Sequence, residues 1–281
     1  MMRKSWQAYL FLAPLMLGCM VFYIIPFVQV IQFSLTWGGS LSLKNYQELL
    51  LRNGSFVLAF GNSMKFLLAG LPLVMVLAYL IAILLKQQAN RHKFLKTVFM
   101  LPYIMPVAGT VLLVDVVFQE TGLLNRFLTL LNGAGVDWLN GPSAFWVMIL
   151  LYLWKNTGYA VILLLAGLVT IPEDQYESAE LDGATALQKF HYITTPQMWY
   201  AIFFALAFSV INGFKCFREI FLIGGQEPDD ELYMLQHFIN NTFKNLNYPK
   251  LSAGSVLLLA VIFLFFVVLY GFVQRKEQYR E

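Results

Sequence analysis

The chain has 281 residues, 59% of them hydrophobic and 12% charged, with a net charge of +3. Soluble domains carry about 25% charged residues, so this composition belongs in a bilayer and leaves no room for a separate soluble enzyme domain. The positive charge is spread over loops and ends without a basic run, which removes support for nucleic-acid binding.

Arg3 and Lys4 precede an apolar run from about Tyr9 to Phe33. It is longer than the apolar core of a signal peptide and lacks a small-residue cleavage site, so it reads as a retained anchor. Gly18-Cys19 resembles a lipoprotein cleavage site only faintly, because the apolar run continues well past it. Further runs lie at about Met64 to Leu85, Val98 to Phe118, Phe145 to Val169, Trp199 to Leu222 and Ser255 to Val273, each near the length of a spanning helix. The expected fold is all-α and polytopic, with six transmembrane helices in one domain over residues 1–281. Lys and Arg number ten in the tails and loops on one side, including Arg91 and Arg280, against five on the other. The positive-inside rule then puts both termini in the cytoplasm.

Pro102 and Pro106 fall inside the third span, where they predict a kink that either faces a path or merely helps helices pack. On the fourth span, Tyr152, Lys155, Asn156 and Tyr159 form a polar and aromatic stripe. On the fifth, Phe208, Asn212, Lys215 and Glu219 recur at steps of three or four and can share one helix face, with Arg218 beside it. Rings with amide and charged groups suit a sugar, whose hydroxyls need hydrogen bonds and whose C–H faces stack on aromatics. The competing reading is structural: Lys215 pairs with Glu219, or Arg218 snorkels to the outer interface. Asp115 and Lys65 are further polar residues in or near spans.

Between the fourth and fifth spans, Pro172 to Pro196 is a polar interlude. Thr170 and Glu173 have capping-box spacing, Pro172 suits a first helical turn, and Asp182-Gly183 is a turn signal. The expectation is helix, glycine elbow, then a second helix from Ala184 to Tyr192 that ends by Pro196.

Glu177-Ser178-Ala179, Asp182-Gly183-Ala184, Gln188, Phe190, Ile193 and Pro196 resemble the EAA loop of binding-protein-dependent ABC importer permeases. Ser178 stands where that family usually has its middle alanine. The resemblance implies a type I importer permease fold, with coupling helices that fit a groove on a separate ATPase subunit. Past the fifth span, the Gly224-Gly225 segment and the aromatic-rich stretch after it resemble the carbohydrate (maltose and glycerol-phosphate) branch. That resemblance implies a bacterial inner-membrane protein, a second and different permease subunit, an external solute-binding protein and a carbohydrate substrate.

No G-x-x-x-x-G-K-[ST] phosphate loop and no G-x-S-x-G elbow occurs, so ATP hydrolysis is assigned to a partner, and no cofactor or catalytic residue to this chain. His92, His191 and His237 read as loop residues without zinc-site spacing, and Cys19 and Cys216 as packing thiols. An ion-coupled secondary transporter and an intramembrane enzyme using Asp115, Lys155 or Lys215 remain rival classes. Both leave the polar interlude without a role.

Overall fold

The computed structural model describes residues 3–86 and 92–278, with side chains over 9–86 and 97–275; Arg91 and Arg280 lie outside the described residues. In chain order the helices are α1 (Arg3–Cys19), α2 (Ile25–Ser34), α3 (Lys44–Gln47), α4 (Gly54–Lys86), α5 (His92–Ile104), α6 (Val107–Phe118), α7 (Leu123–Leu130) and α8 (Pro142–Val169). They continue as α9 (Glu173–Leu181), α10 (Ala186–Lys189), α11 (Thr195–Gln197), α12 (Trp199–Lys215), α13 (Phe217–Gly224), α14 (Leu235–Lys244) and α15 (Tyr248–Gln278). The apolar segments form helices because hydrocarbon offers no partner for backbone N–H and C=O groups, which must pair within the segment. Six helical stretches are long and apolar enough to cross a membrane: Tyr9–Ser34, Gly54–Lys86, Val107–Leu130, Pro142–Val169, Trp199–Gly224 and Tyr248–Arg275. The apolar run predicted as the third span is split at Pro106, which is extended (ψ 146°), into α5 and α6; the Val107–Leu130 stretch qualifies by length and composition alone and includes α7, a separate helix past the extended Gln119 and Gly122. Pro102 sits within α5.

The chain divides into two compact units. One comprises Met1–Val57 and Phe238–Phe263. Here strands β1 (Thr36–Trp37) and β2 (Ser40–Leu41) pair across Gly38 and Gly39, whose positive φ values suit a two-residue hairpin turn. The buried Asn45 amide holds this corner by donating to the carbonyls of Ser34 at 3.0 Å and Thr36 at 2.9 Å. The Phe56 and Phe238 rings meet edge to face at 5.2 Å.

The other unit comprises Leu58–His237 and Leu264–Glu281. Its centre is α8, buried on most sides from Ala144 to Leu168, and a helix apolar all round belongs in that position. Small residues let neighbours approach α8 closely. A Cβ at Gly158 would sit 1.7 Å from the Phe99 carbonyl oxygen of α5, and one at Gly167 would sit 2.5 Å from the Ala201 methyl of α12. At one end of the unit, Ser63 of α4 accepts from the Leu235 N–H at 2.8 Å, and the Asn62 amide donates to the Tyr233 carbonyl at 3.1 Å.

The histidines depart from the loop assignment. His237 is on α14 and fully buried, His191 lies in a widened turn after α10, and His92 begins α5. Among the described residues no group of three His, Cys, Asp or Glu could hold a metal ion. Cys216 is a buried free thiol, whereas Cys19 is exposed on α1 and does not pack inside the chain.

Candidate functional site

The polar interlude folds as two short helical pieces around an elbow. α9 places Glu173 and Asp174 in its first turn, where the helix dipole favours negative charge. Its N-cap is Pro172, not a Thr170–Glu173 capping box, and the Thr170 hydroxyl instead donates back to the Gly167 carbonyl at 2.7 Å. The capping box forms one helix later: the Thr185 side chain accepts from the Gln188 N–H, and the Gln188 side chain accepts from the Thr185 N–H at 2.7 Å. Between them Gly183 adopts φ +78°, and its N–H donates to the Glu180 carbonyl at 3.0 Å while the Ala184 N–H reaches Ala179 at 2.8 Å. That pairing ends α9 and needs a left-handed residue after the cap, a conformation glycine adopts without steric cost.

The second piece does not stop before Pro196. α10 opens into a five-residue turn of i→i+5 type at Phe190–Thr194, and α11 then runs through Pro196 to Gln197. The wider turn relieves the clash that a proline ring makes with a carbonyl one regular turn earlier, and proline needs no acceptor for an N–H it lacks. The loop is tied to the bundle along this piece. The hydroxyls of Tyr176 and Thr194 are hydrogen-bonded at 2.9 Å, the Lys86 ammonium at the end of α4 lies 4.2 Å from the Tyr176 ring centre and 3.8 Å from Glu173, and Phe190 meets Tyr79 edge to face at 5.6 Å. Lys189 pairs with Glu180 across the elbow at 3.1 Å. Ile83, Lys86, Tyr176 and Phe190 line a cleft of about 490 Å³ between loop and bundle.

The predicted loop residues divide by surroundings. Glu177, Ser178, Asp182 and Gly183 are exposed, Ala179, Ala184, Ile193 and Pro196 half-buried, and Phe190 is exposed on one edge while its ring meets Tyr79. Leu181 and Leu187, on either side of the elbow, are 90% and 76% exposed, and Tyr192 is also exposed. A polar loop thus presents an exposed apolar rim.

The second set of predicted residues lies inside the spans and is rearranged relative to expectation. Tyr152 is fully buried: its hydroxyl donates to the Ser209 carbonyl at 2.7 Å and its ring meets Phe66 edge to face. Asn156 is buried and donates back to the Tyr152 carbonyl at 2.9 Å. These two are core residues of α8. The four residues expected on one face, Phe208, Asn212, Lys215 and Glu219, do not share one environment, and the regular helix is interrupted at Cys216 between α12 and α13. Glu219 and Asn212 are buried, while Phe208 and Lys215 are exposed. Nor does Lys215 pair with Glu219. The Glu219 carboxylate accepts from the Lys155 ammonium of α8, and both groups are largely buried. Arg218, Lys65 and Lys215 are exposed, and Asp115 is half-buried on α6.

One aromatic group does assemble. The Tyr159 ring stacks on Tyr103 of α5 with centres 4.7 Å apart and meets Phe208 of α12 edge to face at 5.4 Å. Tyr103 was not singled out by sequence; its only signal was an aromatic beside Pro102, and its partner is 56 positions away by number. Tyr176 and Lys86 were likewise missed as loop anchors, since their contacts are tertiary.

Six apolar stretches and a helical loop between the fourth and fifth define a multi-pass membrane subunit. Residues 75–278 match the family described as binding-protein-dependent transport system inner membrane component, and the chain belongs to that family. It is a transport component and not an enzyme. It is 27% identical over 276 residues to the trehalose/maltose transport system permease protein MalF of Thermococcus litoralis, covering 95% of this chain and 93% of that protein. It is 30% identical over 225 residues to the xylose/arabinose import permease protein XacH of Haloferax volcanii, covering 79% and 71%. The fold is similar to that of a chain in a bacterial ABC transporter that imports the acidic polysaccharide alginate, with TM-score 0.84, 20% identity and coverage of 97% and 96%.

Proposed function

We propose that residues 1–281 act as a single permease domain in an ATP-driven importer, and that the cargo is a sugar or oligosaccharide delivered by an external binding protein. Separate cytoplasmic ATPase subunits hydrolyse ATP, and a second, different permease subunit completes the path. Both termini face the cytoplasm, in line with the excess of Lys and Arg on that side. The observation that carries this reading is the exposed loop around Gly183, with Leu181, Leu187 and Tyr192 exposed at its rim. Glu177, Ser178, Ala179, Asp182, Gly183, Ala184, Phe190 and Pro196 form or support the docking surface.

Force applied to this loop has a physical route. The Lys86–Tyr176 and Phe190–Tyr79 contacts couple it to α4, and the Tyr176–Thr194 hydrogen bond ties its two pieces together, so ATPase closure moves the spans as levers and alternates the opening of the path. The path on this subunit runs by Tyr159 and Phe208, with Asn212 and Lys215 nearby on α12. Tyr152, Asn156 and Glu219 support it from within the core. The carbohydrate assignment rests on the aromatic group, which can stack on sugar C–H faces, and on relatives whose names refer to trehalose, maltose, xylose and arabinose.

Affinity purification of the tagged chain tests this reading. The expected result is co-isolation of an ATPase subunit and a second membrane subunit, with ATP hydrolysis raised by saccharide-loaded binding protein. Uptake by this chain alone, driven by an ion gradient, would overturn it.

A further inference from the structure

Helix α7 is amphipathic in the sense opposite to a helix that packs on a protein core. Leu123, Phe127, Leu130 and Leu131 fall within an arc of about 100° at 3.6 residues per turn. All four are exposed, Phe127 by 58% and Leu130 by 82%. The opposite side is turned inward at Asn125, flanked by the half-buried Leu124 and Leu128. Asn125 is buried there, donating to the carbonyls of Glu120 at 3.0 Å and Val136 at 2.8 Å, and accepting from the Val136 N–H at 3.0 Å and the Trp138 indole N–H at 2.9 Å. The helix end is fixed as well. Asn132 takes φ +59°, and the Gly133 N–H donates to the Leu128 carbonyl at 2.8 Å. The outward apolar face is therefore held in place by the hydrogen bonds behind it.

What covers this face follows from its continuity with α6. That helix exposes Leu112, Leu113 and Val116 within a membrane-crossing stretch, and an exposed apolar strip on such a helix faces lipid unless another chain covers it. Gln119 (ψ 161°) and Gly122 (ψ 173°) are extended, so α7 starts as a separate helix after α6 ends. Trp138, packed edge to face on Phe118 at 6.4 Å, has the amphipathic character of residues that mark a membrane–water boundary. Arg126 lies on the flank of α7, exposed, with its Nε donating to the Thr121 carbonyl at 3.0 Å.

We propose that α7 is an interfacial helix that lies on the bilayer, with Leu123, Phe127, Leu130 and Leu131 in the acyl boundary of the leaflet where α6 ends and Asn125 facing the protein. The inference rests on membrane insertion alone and is independent of the substrate and of the coupling loop. A helix of this kind buries its apolar face about 5–10 Å into the boundary between headgroups and acyl chains.

The test places nitroxide labels at Leu123→Cys, Phe127→Cys and Leu130→Cys, one at a time, in a Cys19→Ser, Cys216→Ala background, with Glu120→Cys as the control. The assembled transporter is reconstituted in phosphatidylcholine–phosphatidylglycerol vesicles, and collisions with oxygen and with a water-soluble nickel chelate are measured. The expected ratio of oxygen to nickel collisions is several-fold higher at the three apolar positions than at 120, because oxygen concentrates in the acyl region and the chelate in water. Ratios equal to the control would place the face in water and overturn the proposal. Exclusion of both reagents would mean that a partner subunit or the binding protein covers α7, which would overturn it equally. Three separate label sites keep the result readable if one variant fails to assemble.

Discussion

Lys155 on α8 donates a hydrogen bond to the Glu219 carboxylate on α13, and the two charges meet in a largely buried place across 64 positions of sequence. Removing one partner of such a pair strands the other charge, at a cost of about 3–5 kcal/mol, whereas replacing both with apolar groups of similar volume is often neutral. Lys155→Met and Glu219→Gln are each expected to lower the thermal stability of the detergent-solubilised complex sharply. Lys155→Met combined with Glu219→Gln is expected to recover part of the loss, because no net charge is then left unpaired. Additive losses in the double variant would show that the two residues act independently.

Phe208 and Asn212 test the path. The expected effect of Phe208→Ala is a rise in the apparent KM for saccharide uptake of roughly 2- to 12-fold, equivalent to the 0.5–1.5 kcal/mol that an aromatic contact supplies. Asn212→Ala is expected to alter uptake or sugar preference through a lost hydrogen bond worth about 0.5–1.5 kcal/mol. Assembly should be normal in both. Unchanged uptake kinetics in properly assembled variants would remove Phe208 and Asn212 from the path.

His237 sets a pH dependence outside the spans. Its Nδ1 accepts from the Met234 N–H at 3.2 Å, its Nε2 has no partner among the described residues, and the rings of Phe217, Phe221 and Tyr233 surround it. Burial pushes its pKa down from the usual 6.5 to about 4. The folded chain therefore holds this imidazole neutral between those values, while the unfolded chain takes up a proton. Its stabilising contribution is fully present above about pH 6.5 and is lost as pH falls toward 4, with a slope of up to about 1.4 kcal/mol per pH unit. Thermal unfolding at pH 7 and pH 5 is the measurement. The drop between them should be smaller in His237→Gln than in the unaltered chain, and an equal drop in both would contradict the assignment.

The number of spans was legible because a run of about 20 apolar residues has few alternatives to crossing a bilayer. The elbow was legible too, since Asp182-Gly183 is a local turn signal and Gly183 takes the left-handed conformation there. Local pattern could not decide which of two capping sequences would be used. Thr170-x-x-Glu173 and Thr185-x-x-Gln188 have the same spacing, but Pro172 takes the first N-cap and Thr170 bonds backwards to Gly167. The spans hid more. Helical periodicity suggests a pair between Lys215 and Glu219, but Lys215 is exposed while Glu219 is buried, where a lysine from another helix reaches it. Tyr152 and Asn156 read as path residues because polar groups in a span suggest a cavity, and the structure shows both buried within the chain, bonded to the Ser209 and Tyr152 carbonyls.

Transmission through the loop is tested most directly by Gly183→Pro, because the native φ of +78° is closed to proline and the N–H bonded to Glu180 is lost. The measurement is saccharide uptake together with ATP hydrolysis stimulated by the loaded binding protein, in vesicles containing the assembled complex. Insertion and assembly should match the unaltered protein, while stimulated hydrolysis and uptake fall together to near background. Normal stimulation and normal uptake in the assembled variant would contradict the claim that this elbow couples the ATPase to the spans.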